Sequence, residues 1–312
     1  MPSDLAPTVG SLTSAQIRAR LRSDGLRVKM GPFAVCIRSS MSDIAWNMEN
    51  LYSDYPLADG VMADYCILVD YPRGLRRWYR PQVIFEIDGY IPYKPYPAAA
   101  AIAMLEWGLN WTLFTSANQY LLFHAACLER NGKCIFMAGR PGSGKSTLCA
   151  ELALKKNPWR LLTDELTIVR KDVYDVLPLC RPICLKNASI DIIAQRHPEA
   201  FIGKKNYNTA KGTIAHIKAP KESVEMMNVP STPRMILLPQ YKQGAKTEWS
   251  ILPQTEAIML LAEQSFNFQT LGATGFMGIK QIVSQTKMYQ VVYSDLDDLI
   301  PQLEELFDDL EP

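Results

Sequence analysis

Between residues 139 and 146 the sequence reads Gly139-Arg140-Pro141-Gly142-Ser143-Gly144-Lys145-Ser146. This is a complete G-x-x-x-x-G-K-[ST] run, followed by Thr147 and an apolar-periodic stretch, TLCAELALKK. Glycines at these spacings let a backbone pass close to an anion with its N–H groups turned inward, and a helix that starts at the lysine adds the positive end of its dipole. That is chemistry for phosphate. Lys145 is expected to reach the β- and γ-phosphates of a nucleoside triphosphate, Ser146 to hold Mg²⁺ through its hydroxyl, and Thr147 to add a phosphate contact. Gly139, Arg140, Pro141, Gly142, Ser143 and Gly144 would form the cradle. A Gly-rich strand-to-helix turn without a ligand is the bland alternative, and the order strand, loop, helix favours the phosphate reading.

A second cluster follows the helix stop Asn157-Pro158. Here Trp159-Arg160-Leu161-Leu162-Thr163-Asp164-Glu165 is an apolar approach ending in two acids. It suits a strand that presents carboxylates to a metal ion, although a lone Asp-Glu pair also opens many solvated turns. A histidine upstream is a third candidate. The segment LLFHAACLERNGKCIFMAG reads as two apolar strands around Asn131-Gly132, a strong hairpin signal. If those two residues turn the chain, Arg130 faces Lys133 and, continued outward, His124 faces Gly139 at the phosphate loop. A histidine on an apolar strand is usually a core residue, and this pairing is what favours a functional one.

Among the basic residues, Arg181 and Lys186 in CRPICLKN are candidates to clamp transferring phosphoryl oxygens, or are surface residues. Lys204, Lys205 and Lys211 lie in GKKNYNTAKG, a polar loop able to close over nucleotide or an acidic substrate, or simply solvated. Cys180 and Cys184 do not make a zinc site, because no further Cys or His pair accompanies them.

The elements that must position these residues define an α/β fold: a P-loop core on a mixed sheet, preceded by an α+β portion. In that portion the pattern predicts a strand over Val28–Ser39, a helix over Ser42–Leu51 capped by Ser42, and strands at Tyr65–Val69 and Val83–Tyr90. The Pro-spaced Tyr90–Pro97 is the boundary, dividing an N-terminal domain of unassigned role (1–95) from a catalytic domain (96–312). The apolar run Pro97–Leu122 carries Glu106, Asn110, Asn118 and Gln119, which suits a buried helix and not a membrane span.

FHAACLERNGKCIFMAGRPGSGKSTL, LLTDELTIV, RPICLKN, AKGTIAHI and AEQSFNFQTLG together resemble the C-terminal catalytic domain of HPr kinase/phosphorylase, and more closely the bacterial HprK-related kinase A family. The resemblance covers roughly Leu121 to the C-terminus. It implies that Asp164 is the catalytic aspartate, removing the acceptor proton, with Glu165 as the neighbouring metal contact and Asp164 also near the metal. It further implies that His124 stands beside the phosphates, that ATP and Mg²⁺ are the cofactors, and that the chain is a homo-oligomer. PqqD-like peptide chaperones occur alongside such kinases, which points to a peptide or protein serine as acceptor. The HPr kinase signature resembling LIExRGxG is not recognisable, however. Cys180–Asn187 occupies its place, so the protein-substrate site of those enzymes does not carry over.

The 312 residues hold 33 Lys+Arg against 32 Asp+Glu, a net charge of +1, which excludes general electrostatic binding to nucleic acid or anionic membrane. At 48% hydrophobic residues the chain is not disordered. Seven cysteines, odd in number and mostly in apolar runs, together with an N-terminus that lacks a secretory pattern, predict a reduced, cytoplasmic protein. The expected function is transfer of the γ-phosphate of MgATP to a hydroxyl. A small-molecule acceptor and a regulatory ATPase without an acceptor are the alternatives.

Overall fold

A computed structural model describes residues 6–310. Residues 1–5 and 311–312, the outer ends of the two expected portions, lie outside the described residues. The single strand expected over Val28–Ser39 is a hairpin. Gly31, at φ +57°, and Pro32 turn the chain, so that Leu26–Met30 pairs antiparallel with Phe33–Arg38 and Met30 faces Phe33. A Cβ on Gly31 would lie 2.2 Å from the Pro178 carbonyl oxygen, so this turn is also a close approach of two distant segments. Helix Ser42–Asn50 follows; Met41 takes the cap position expected for Ser42, and no side chain caps it. The crossover sets Tyr65–Asp70 parallel to Phe33–Arg38, and Gln82–Ile87 and Tyr96–Pro97 complete a five-stranded sheet.

The apolar run after Pro97 forms helix Ala101–Ser116, buried on most of its circumference, which explains its lack of a polar face. It packs on strands Tyr65–Asp70 and Gln82–Ile87. The approach is close enough that a Cβ on Gly108 would fall 2.0 Å from the Phe85 ring. No helix among the described residues is long and apolar enough to cross a membrane.

The second half is built on a six-stranded sheet ordered Glu248–Ile251, Lys287–Tyr293, Thr232–Tyr241, Lys133–Met137, Ala126–Arg130, Arg160–Thr163. The sheet is mixed, because Thr232–Tyr241 runs parallel to both of its neighbours while the remaining pairs are antiparallel. Strand alternation sorts the side chains by face. Ile135 and Met137 share a core with Leu148 and Leu152 of helix Lys145–Leu154. Cys134 and Phe136 pack with helices Gln254–Gln264 and Ala273–Ser284. The first of these cores continues into the N-terminal sheet, from Val9 to Phe307.

Two segments leave this sheet at one level. The Asn131-Gly132 turn forms, with Arg130 facing Lys133 and Ala126 facing Met137. Past Ala126 the pairing stops, and Leu121–His124 belongs to a three-stranded sheet, antiparallel to Leu166–Val169. Arg160–Thr163 stays in the large sheet beside Ala126–Arg130. Asp164 and Glu165 therefore fall at a crossover between two sheets, as Ala125 does on the neighbouring strand.

Candidate active site

The Gly139–Ser146 loop joins strand Lys133–Met137 to helix Lys145–Leu154. Gly144 is the helix N-cap at φ +94°, where a Cβ would strike the Tyr293 hydroxyl at 2.3 Å, so both conformation and space require glycine. No side chain caps the helix, which leaves its leading N–H groups without a side-chain acceptor. Ser143 Oγ is buried without a partner. Arg140, Pro141 and Gly142 form the exposed rim, while Ser146 and Thr147 are half-buried in the first turn. The Lys145 ammonium folds back on the loop, donating to the Gly139 carbonyl and, at 3.2 Å, to that of Arg140. Burial, with the nearby Lys186, pushes it down to about 8.

The two acids face different ways. Thr163 Oγ1 donates to the Leu166 carbonyl at 3.0 Å and accepts from the Glu165 N–H at 3.4 Å, which tightens the crossover. Asp164 turns inward, 7% exposed, and accepts the Cys184 N–H at 2.8 Å. Burial, and then the Glu165 charge, push its carboxyl up to about 7. Its charge bears on Cys149, which lies one turn beyond Ser146 on the same face of the helix. Glu165 instead lines a cavity of about 400 Å³ together with His124 and Lys211. Burial alone would raise its carboxyl, but Lys211, Lys186, His124 and Arg181 outweigh it and hold the group below the usual range. Lys211 Nζ is 3.5 Å from Glu165 Oε1, and Asn110 Nδ2 donates to Oε2 at 2.9 Å.

His124 does not pair with Gly139. The hairpin register holds only as far as Ala126, because the chain crosses at Ala125 into the small sheet, where His124 sits opposite Leu166. That pairing places the imidazole beside Glu165 by a different route. Burial lowers the ring's proton affinity; Glu165 opposes this, and Lys145, Lys186 and Lys211 reinforce it.

The basic candidates separate. Lys211 and Lys186 act on Glu165. Lys204 pairs with Asp43 at 3.1 Å and lies over the Trp46 ring, whereas Lys205 pairs with Asp191 at 2.7 Å. Neither of these two joins the site. Arg181 is turned inward, 3% exposed, with Nη1 3.0 Å from Glu106 Oε2 and Nη2 donating to Asn110 Oδ1. Glu106 also accepts from the Tyr52 hydroxyl. Arg181 therefore supports the site from behind and is not free to clamp a phosphoryl group. Sequence reasoning missed the roles of Glu106 and Asn110. Their signal was two polar residues at i and i+4 inside an otherwise apolar helix.

Among the described residues no three His, Cys, Asp or Glu side chains gather as a metal cluster, Cys180 and Cys184 included, and every cysteine is a free thiol.

The fold and site together define a mixed α/β protein with a glycine-rich strand–loop–helix turn and a cavity lined by one carboxylate, Glu165, whose charge bears on Lys145 of that turn. No family model and no curated protein matches the sequence. Among solved structures it is similar to the Hpr(Ser) kinase/phosphatase from Coxiella burnetii, at 13% identity over 60% of this chain and 93% of that chain, with a TM-score of 0.26. A likeness at this level transfers no residue's role, so roles here follow from this chain's own geometry.

Proposed function

We propose that the chain is an ATP-dependent phosphotransferase that moves the γ-phosphoryl group of MgATP to a hydroxyl. One observation carries the reading: the Glu165 carboxylate, which lines the cavity, bears electrostatically on Lys145 at the end of the glycine-rich loop. A cation for phosphate and a carboxylate for an acceptor hydroxyl thus stand within electrostatic reach of each other.

The residues present fit a triphosphate. An uncapped helix start, a buried Ser143 hydroxyl without a partner and a lysine satisfied only by loop carbonyls are donors awaiting an anion. Mg²⁺ favours a hydroxyl and one or two carboxylates with phosphate oxygens and water. Ser146 would hold it, with Asp164, whose charge bears on Cys149 one turn along the helix, as the carboxylate, and it would supply charge neutralisation at the phosphates. Lys145 leaves the Gly139 and Arg140 carbonyls for the β- and γ-phosphates. Glu165, ionised at neutral pH, accepts the acceptor hydroxyl's hydrogen bond, aims its oxygen at phosphorus and takes its proton as the new bond forms. His124 donates from the cavity wall to the group in flight.

This exchanges the two acids relative to the family resemblance, because only Glu165 borders the space an acceptor can enter. A peptide or protein serine, with a PqqD-like partner, and assembly into a homo-oligomer remain the reading drawn from that resemblance; the cavity itself favours a small acceptor. The experiment follows γ-labelled phosphate in the whole chain and in Lys145→Ala. Label on an acceptor in the parent, with binding of MgATP lost in the folded variant, supports the reading. Label appearing only as inorganic phosphate makes the chain an ATPase, and unchanged MgATP affinity in Lys145→Ala removes the loop from the site.

A further inference from the structure

The cavity at Glu165 is lined by aromatic rings together with Asn110, His124 and Lys211. Tyr93, from the Pro-spaced segment, and Trp107 and Phe114, from helix Ala101–Ser116, meet Phe266, which follows helix Gln254–Gln264. Four aromatic rings from three separate parts of the chain thus surround about 400 Å³, a volume suited to a small organic ligand. Phe114 and Phe266 stack at 5.0 Å with planes 13° apart, and Phe266 still leaves 41% of its surface exposed. With Phe114 stacked on it and the His124 ring edge-on at 6.1 Å, the exposed remainder of Phe266 is a surface on which a further flat group can pack.

The charges in this cavity are matched among themselves. Lys211 faces Glu165 at 3.5 Å and lies over the Trp107 ring at 5.8 Å. The Asn110 amide is held at both ends, by Arg181 and by Glu165. No unmatched charge remains for a charged ligand body.

We propose that the phosphoacceptor is a small neutral alcohol carrying an aromatic ring, its ring between Phe266 and Trp107 and its hydroxyl at Glu165. This rests on the phosphotransferase reading. The step is balanced within the proposed reactants: the alcohol oxygen forms a bond to the γ-phosphorus and the bond to the β,γ-bridging oxygen breaks. ADP leaves with that electron pair, and the hydroxyl proton passes to Glu165 and then to water.

The test uses tryptophol and 2-phenylethanol as probes, with n-butanol and a serine-containing peptide as comparators, on the full chain and on Phe266→Ala and Trp107→Leu. Calorimetry measures binding, and ³¹P NMR with ATP and Mg²⁺ measures transfer. The expected result is that ring alcohols bind and are phosphorylated, that n-butanol binds at least about tenfold more weakly, and that each variant weakens ring-alcohol binding at least about fivefold. Circular dichroism and the melting temperature check folding, and the milder Phe266→Leu serves if Phe266→Ala unfolds. Ring alcohols that fail to bind, or that bind equally well to a folded Phe266 variant, overturn the proposal. Phosphorylation of the peptide in that case leaves the phosphotransferase reading standing. Ring-dependent binding with phosphate released only to water overturns the acceptor assignment and the phosphotransferase reading together.

Discussion

Asn110 Nδ2 donates to Glu165 Oε2 at 2.9 Å while Asn110 Oδ1 accepts from Arg181, so one amide is oriented by a buried cation and in turn orients the cavity carboxylate. The order of donors permits only this polarity, because a guanidinium cannot accept. The chain of contacts begins at the Tyr52 hydroxyl and passes through Glu106, which ties the segment after helix Ser42–Asn50 to Glu165. The N-terminal portion has no assigned motif, yet its Tyr52 and the helix after the Tyr90–Pro97 break hold up the site.

Asn110→Ala should therefore lower kcat about tenfold while the KM for MgATP stays within about twofold, since the lost bond aims the carboxylate and does not touch the nucleotide. Asn110→Asp should lower it further by setting a second negative charge beside Glu165. Steady-state kinetics with a melting curve for each variant check this. A fall in melting temperature with unchanged kcat would make Asn110 a structural residue.

The two acids should separate. Glu165→Gln is expected to bind MgATP within a few-fold of the parent and to transfer phosphate about 10²–10⁴-fold more slowly, the usual contribution of a positioned base. Asp164→Asn is expected to raise the Mg²⁺ concentration for half-maximal rate at least about tenfold. A magnesium titration of both variants decides, and the reverse distribution would restore Asp164 as the base.

Arg181→Met strands the Glu106 carboxylate in the interior and should cost about 3–5 kcal/mol of stability. Adding Glu106→Gln removes the stranded charge and should return part of that loss. Urea unfolding of the single and double variants measures both. A single-variant effect below about 1 kcal/mol would place the pair in effective contact with water.

His216 is buried among Ile217, Ala215 and the paired strand Ile183–Lys186, and neither ring nitrogen has a partner. Burial, with Arg181 and Lys186 adding to it and Glu165 opposing, pushes the ring down to about 4, from an ordinary 6.5. The unfolded chain therefore takes up this proton first as pH falls, and stability drops between about pH 6.5 and pH 4. From pH 7 to pH 5 the loss from this group should be about 2 kcal/mol. Urea midpoints of the parent and of His216→Leu at those two pH values isolate it. Equal slopes in both proteins would show that the ring is hydrated.

Local chemistry made some of this legible in the sequence. The glycine spacing and the apolar strand before it mark a strand–loop–helix turn, because only glycine tolerates the backbone at 144 and the period switches from strand to helix at Lys145. Asn131-Gly132 marks its hairpin for the same reason, with both residues at positive φ. What lay beyond the turn was not local. Whether the strand holding Ala126 continues through His124 depends on which neighbour offers hydrogen bonds there, and Leu166–Val169, distant in sequence, takes that place. The same crossover turns Asp164 inward and Glu165 toward the cavity, a difference that two adjacent acids cannot reveal by type. Tertiary packing alone decided that Arg181 is a buried support, that Lys211 separates from Lys204 and Lys205, and that Phe266, far along the chain, meets Tyr93, Trp107 and Phe114 around one space. Each of these depends on burial and on partners that arrive from other elements, and no spacing within a segment encodes them.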